Sequence, residues 1–156
     1  WSSKWLYLSN NMTIHLATDH AGFVHKEAVK AYLLAQGIDV IDYGASEVIE
    51  GDDYPDYVVP CAQAVVADPD NSMGVIFGGS GQGEAMCANR VPGIRAAVFY
   101  GGTTDILTLS REHNAANVLS LAARYLSPDE AIQAVTLWLA TPFSNDERHV
   151  RRLGKF

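Results

Sequence analysis

Five short apolar runs set the frame for this chain: Ile14–Thr18, Ile38–Tyr43, Met73–Phe77, Ile94–Phe99 and Asn117–Leu121. Segments of helical periodicity separate and follow them, at about Gly22–Gln36, Asp56–Ala67, Gly83–Arg90, Thr103–His113 and Pro128–Ala140. Runs this short, rich in β-branched residues and apolar on both sides, read as strands buried between two layers. Parallel neighbours need a long crossover, and a helix is the usual one. The alternation therefore predicts an α/β fold: a Rossmann- or flavodoxin-like three-layer α/β/α sandwich on a five-stranded parallel sheet. No linker, repeat or low-complexity tract interrupts it, so residues 12–156 are expected to form one domain.

Two later stretches mark helix starts. Ser127-Pro128-Asp129-Glu130 offers an N-cap, a proline at the first helical position and a capping-box glutamate. Ser144-Asn145-Asp146-Glu147 repeats the Ser-x-x-Glu spacing and should open a short C-terminal helix. The stretch before Met12 lacks the basic start, apolar centre and cleavage site of a signal peptide. It reads as a tag remnant or an upstream extension. No segment is long and apolar enough to span a membrane.

Charge narrows the function classes. A net charge of −7 argues against a nucleic-acid binder, whose affinity rests on neutralising phosphates. A small anionic substrate stays open, because it needs only a local cluster of positive charge. Cys61 and Cys87 have no metal-ligand spacing and fall in apolar helical patterns, as free buried thiols of a reducing compartment do. A cytoplasmic protein is the expectation.

In such a sheet, ligands bind beyond the carboxyl ends of the strands. Three loops at that edge are chemically rich: Asp19-His20-Ala21-Gly22, Gly78–Glu84 and Gly101–Asp105. The second contains Gly79-x-Gly81-x-Gly83, which is neither a Walker loop nor a dinucleotide fingerprint. Its backbone N–H groups at a helix start could hold an anion or a developing oxyanion. A tight turn capped by Ser80 is the equal structural alternative. Glu84 falls one position too late for a capping box and should sit in the first helical turn beside those donors. There it could act as a general base, or simply favour the helix dipole.

The remaining candidates are weaker singly. Asp19 could cap the next helix instead of serving His20 in chemistry. His113 and Asn114 end a helix, where a histidine also suits the dipole. On the C-terminal helix, Arg151 lies four residues after Glu147 and should pair with it. Arg148 and Arg152 share another face, a spacing suited to a phosphate or to a solvated basic tail. Arg124, after the last strand, is a possible third guanidinium.

Together these residues carry a resemblance. DHAG (19–22), DYPDY (53–57), GGSGQGE (78–84), ANRVPGIRAA (88–97), REHNAAN (111–117) and RHVRR (148–152) occur in order. The chain from Met12 onward resembles the ribose/galactose isomerase family, specifically its type B ribose-5-phosphate isomerases. Ser80 with Glu84 is similar to the actinobacterial-type subclass, in which the glutamate is the base; the other subclass uses a cysteine in this loop.

The resemblance implies roles for each residue. Glu84 would move the proton between C1 and C2 of the open-chain sugar. Ser80 and the N–H groups around Gly79, Gly81 and Gly83 would stabilise the cis-enediolate oxygen, with Asn114 in support. Asp19 and His113 would assist ring opening. His20, Arg124, Arg148 and Arg152 would hold the phosphate. It also implies a homodimer or a dimer of dimers whose sites form between subunits. No His, Asp or Glu cluster with metal spacing is evident, so proton transfer with no metal and no cofactor is expected. Two stretches depart from the pattern. Ala122-Ala123 stands where a glycine pair is expected, and Tyr100–Asp105 is an unfamiliar loop; both could reshape the pocket for another sugar phosphate.

Three functions compete on this reading. The first is interconversion of ribose 5-phosphate and ribulose 5-phosphate, or of another aldose phosphate such as an allose, galactose or tetrose phosphate. The second is a non-catalytic nucleotide- or anion-binding module. The third is a flavodoxin-like redox protein, whose phosphate loop should follow the first strand, where this chain has Asp-His-Ala-Gly.

Overall fold

The computed structural model describes Leu8 and residues 11–156. Apart from Leu8 and Asn11, the expected extension lies outside the described residues. Leu8 itself is buried against the core.

Five parallel strands form one sheet: β1 (Thr13–Thr18), β2 (Asp39–Asp42), β3 (Ser72–Gly78), β4 (Ala96–Phe99) and β5 (Val118–Ala122). Their order is β2-β1-β3-β5-β4. The doubly wound sheet is as expected, but β5 lies inside β4, so the last two strands are exchanged relative to the flavodoxin order. Burial follows position. Every residue of β3 and β5 is buried, whereas edge strand β2 alternates between exposed and half-buried positions.

Successive side chains point to opposite faces, which splits the core in two. On one face Leu16, Val75, Phe77, Leu119 and Leu121 meet α1 (Phe23–Ala35), α4 (Asp105–Glu112) and α5 (Pro128–Leu139), with Trp138 fully buried among them. On the other, Ala17, Ile76 and Val118 meet α2 (Pro55–Ala67) and α3 (Gln82–Ala88). Among the described residues, no helix is long and apolar enough to cross a membrane.

The last helix, α6 (Glu147–Leu153), follows α5 through an extended stretch. Ser127 and Glu130 form the expected capping box on α5. The second Ser-x-x-Glu does not. Asp146 occupies the N-cap of α6, and Ser144 Oγ instead lies 2.8 Å from His149 Nδ1 and accepts from the Asp146 N–H. The backbone at Asn145 has φ +57°, which takes Ser144 out of capping position. Arg151 reaches Glu147 at 3.9 Å, the pairing expected from their spacing.

Register fixes what meets at the carboxyl edge. Thr18 lies opposite Phe77, and Gly78 opposite Ala122. The chain after β1, the chain after β3 and the chain after β5 therefore emerge side by side. They are tied there by bonds from the Ala123 N–H to Gly78 O (2.8 Å) and from the Arg124 N–H to Gly79 O (3.1 Å).

Candidate active site

A cavity of about 330 Å³ opens at this edge, lined by Asp19, His20, Ala21, Tyr54, Gly79, Ser80, Gly83, Glu84 and Arg124. It sits where the connections from β1 and β3 diverge to opposite sides, the switch point of the sheet. Larger cavities lie elsewhere, at the opposite edge and beside β4, and contain none of these residues.

The glycine loop works as a strand-to-helix turn that brings a carboxylate inward. Gly81 is the N-cap of α3 and adopts φ +73°, a left-handed conformation that favours glycine. Ser80 is not the cap, although its Oγ accepts from the Gln82 N–H at 3.3 Å. Its hydroxyl lines the cavity. Glu84 occupies the first turn of α3, as its position in the sequence implies, and is only 4% exposed. A Cβ at Gly78 would collide with its carboxylate, so the last residue of β3 must be small for Glu84 to lie there. Burial pushes the Glu84 carboxyl above the usual carboxylate range, and Asp19 nearby adds to the rise.

Asp19 meets both of its expected descriptions. Its carboxylate accepts from the Ala21 N–H at 2.9 Å, capping the short 3-10 turn His20–Gly22, and it lines the cavity. The Arg124 guanidinium lies over Gly79, whose missing side chain leaves room for it. Gly83 abuts the Tyr54 hydroxyl.

Two residues in this site had no role assigned from the sequence. Tyr54, at the start of α2, lines the cavity. Asp52, in the loop between β2 and α2, accepts from the His20 N–H at 2.9 Å and lies 2.7 Å from His20 Nδ1. The DYPDY stretch was visible, but only the placement of β2 beside β1 puts the loop after it at this edge. The fold also brings side-chain N and O atoms of Asp19, His20 and Asp52 within 4.8 Å of one another, a grouping hidden by the 32-residue separation of His20 and Asp52. Hydrogen bonds already engage all three: Asp19 with Ala21, and Asp52 with both nitrogens it meets on His20.

Five expected site residues do not line this cavity: Gly81, at the N-cap of α3 beside it, and four on other elements. His113 caps the C-terminus of α4, and its ring lies against that of the buried His149, with centroids 4.2 Å apart. Asn114 lines a separate cavity beside β4. Arg148 and Arg152 are exposed on α6. Chain order alone could not reveal this division, because it depends on where α4 and α6 pack.

The two departing stretches also lie off the cavity wall. Ala122 and Ala123 are buried and are not among the residues that line it. The expectation that Gly101–Asp105 borders the site is corrected. With β4 at the sheet edge, Gly101, Gly102 and Thr104 line a different cavity, of about 310 Å³, with Leu126 and Glu130. Of the two cysteines, Cys61 is fully buried but Cys87 only half-buried, and burial pushes both thiols up.

Comparison with known proteins gives a consistent result. The family model described as Ribose/Galactose Isomerase matches residues 14–156. The chain is 40% identical to ribose-5-phosphate isomerase B of Mycolicibacterium paratuberculosis, over 91% of this chain and 87% of that one. It is 38% identical to the Mycobacterium tuberculosis protein of the same name, over 92% and 87%. Among solved structures, ribose-5-phosphate isomerase B from Mycoplasma genitalium with bound ribulose-5-phosphate aligns at a TM-score of 0.88 and 33% identity. That alignment covers 96% of this chain and 95% of that one.

Proposed function

Because the chain belongs to the ribose/galactose isomerase family, we propose that it interconverts D-ribose 5-phosphate and D-ribulose 5-phosphate by proton transfer through a cis-enediolate. One observation carries the mechanism: Glu84 is a buried carboxylate, raised above its ordinary pKa, facing a cavity with guanidinium and imidazole groups on its walls. A C–H proton next to a carbonyl is weakly acidic, so its removal needs a positioned base and stabilisation of the oxyanion that forms. Glu84 takes the proton from C2 of the open-chain aldose and returns it to C1. Raising its pKa makes the ionised carboxylate a stronger base. Ser80 Oγ and the backbone N–H groups around Gly79, Gly81 and Gly83 face the enediolate oxygen.

Asp19 assists ring opening from the Glu84 side, and His113 is its counterpart. The phosphate is held by His20 and Arg124, with Arg148 and Arg152. Since His113, Asn114, Arg148 and Arg152 lie outside the Glu84 cavity of their own chain, we read the site as two halves. A second copy supplies the other half, in a homodimer or a dimer of dimers; a two-fold axis would then form two equivalent sites. The reaction uses no cofactor in this scheme. Free thiols at Cys61 and Cys87 fit a cytoplasmic enzyme.

The preference for a pentose is supported by the relatives named ribose-5-phosphate isomerase B, which match the chain along most of its length. The test is kcat/KM across aldose phosphates of four, five and six carbons. Ribose 5-phosphate is expected to rank first. A hexose or tetrose phosphate ranking first would assign a different substrate to the same chemistry.

A further inference from the structure

We propose that Asp52 is a positioning residue for phosphate recognition: it fixes the His20 ring so that Nε2 donates to the substrate's phosphate only as imidazolium. The inference rests on the reading that His20 holds the phosphate.

The argument starts from one oxygen. Asp52 Oδ1 receives both the backbone N–H of His20, at 2.9 Å, and its ring Nδ1, at 2.7 Å. These two contacts tie backbone and ring to the same carboxylate atom and leave the ring little freedom. Asp52 is well shielded, with a side chain 7% exposed, while His20 is 31% exposed and lines the cavity. A carboxylate only accepts, so Nδ1 must carry the proton. Nε2, on the far side of the ring, has no protein partner among the described residues.

Tautomer then decides chemistry. In the neutral ring with Nδ1–H, Nε2 presents a lone pair, which repels a phosphate oxygen. In the imidazolium, Nε2 becomes a charged donor. A histidine free to choose its tautomer could offer Nε2–H in either state; one held by Asp52 cannot. Recognition is thereby coupled to charge, and the same carboxylate favours the charge.

The groups facing His20 agree with this arrangement. The Asp52 hydrogen bond is the largest influence and raises the imidazole pKa; burial opposes it, Asp19 adds to the rise, and Arg124 lowers it. The net direction is upward. Asp52 in turn is pushed up by burial, but the His20 N–H and ring, with Tyr57 of α2, bring it below the usual range, so it remains a carboxylate. Tyr54 and Glu84 complete the wall.

The experiment compares wild type with Asp52→Asn, Asp52→Glu and His20→Ala. KM and kcat for ribose 5-phosphate are measured across about two pH units either side of the ordinary histidine pKa of about 6.5. Phosphate itself titrates near a pKa of about 6, but equally for every variant, so the ratio of KM values isolates His20. Asparagine keeps an acceptor oxygen and removes the charge. Its KM should match wild type at the acid end and exceed it by roughly tenfold toward neutrality, the size of one charge-assisted hydrogen bond. The effect should fall on KM rather than kcat, and glutamate should restore part of the wild-type profile. A KM ratio for Asp52→Asn that is flat with pH, while His20→Ala raises KM, overturns the proposal alone. An unchanged KM in His20→Ala overturns the phosphate role of His20 as well. NMR of the His20 ring in the unaltered protein gives a check free of mutation. Nδ1 should stay protonated on both sides of the titration, and a neutral ring protonated at Nε2 overturns the proposal.

Discussion

At Glu84 the chain places a carboxylate in the first turn of a helix and buries it to 4% exposure. Burial disfavours its charge, and Asp19 disfavours it further. A group held at such a cost, in a cleft, is a candidate for chemistry. Glu84→Gln keeps the shape and removes the base, so kcat should fall by roughly a thousandfold, within the range of general base catalysis, while sugar-phosphate binding persists. The pH profile carries the same signature. Glu84 must be ionised to accept a proton, and its pKa is raised. Activity should therefore fail on acidification at a pH above the ordinary carboxylate range, and the acid limb of kcat/KM measures this. Glu84 was legible in the sequence because its offset from Ser80 excluded a capping box. Asp52 was not: nothing local in its stretch announces a partner 32 residues earlier.

Among the elements, central strands were the easiest to read, since burial on both faces leaves a near-continuous apolar run, as in β3 and β5. Edge strands were read too long. Ile94 and Arg95 precede β4, and Ile38 and Tyr43 flank β2, because an edge strand pairs on one side only and its ends drop out. Strand order was not legible at all, and the misplacement of Gly101–Asp105 follows from that. Between α1 and β2 the fold contains a charged clamp that periodicity also hid. Lys26, fully buried, and Lys30 both reach Asp42 Oδ2, at 2.6 and 2.8 Å, and Lys26 also donates to Ala45 O. Burial pushes the Asp42 carboxyl up, yet the two lysines and the Gly44 N–H outweigh it and leave the pKa lowered. A lowered carboxylate pKa stabilises the fold above the unfolded value and loses that contribution as pH falls through the folded one. Asp42→Asn should destabilise the protein by about 3 kcal/mol in urea unfolding near neutrality, because it leaves Lys26 buried with less compensation. It should also flatten the loss of stability at acid pH.

At the scale of the whole molecule, the twelve residues expected in the site divide between two places. Eight gather around the cavity and α3: Asp19, His20, Gly79, Ser80, Gly81, Gly83, Glu84 and Arg124. The other four belong to the end of α4 and to α6, where His113 rests on His149. A site completed by a second copy accounts for this division and gives it a direct test. Glu84→Gln and His113→Ala are each expected to be inactive as pure proteins. When they are co-expressed or mixed under conditions of subunit exchange, a mixed dimer carries one site with both defects and one with neither. Random pairing should then restore about a quarter of wild-type ribose 5-phosphate isomerisation, as the two-fold arrangement requires. Mixed dimers that form and remain inactive would contradict the account, for they would place Glu84 and His113 in the same site of one chain or outside the chemistry altogether.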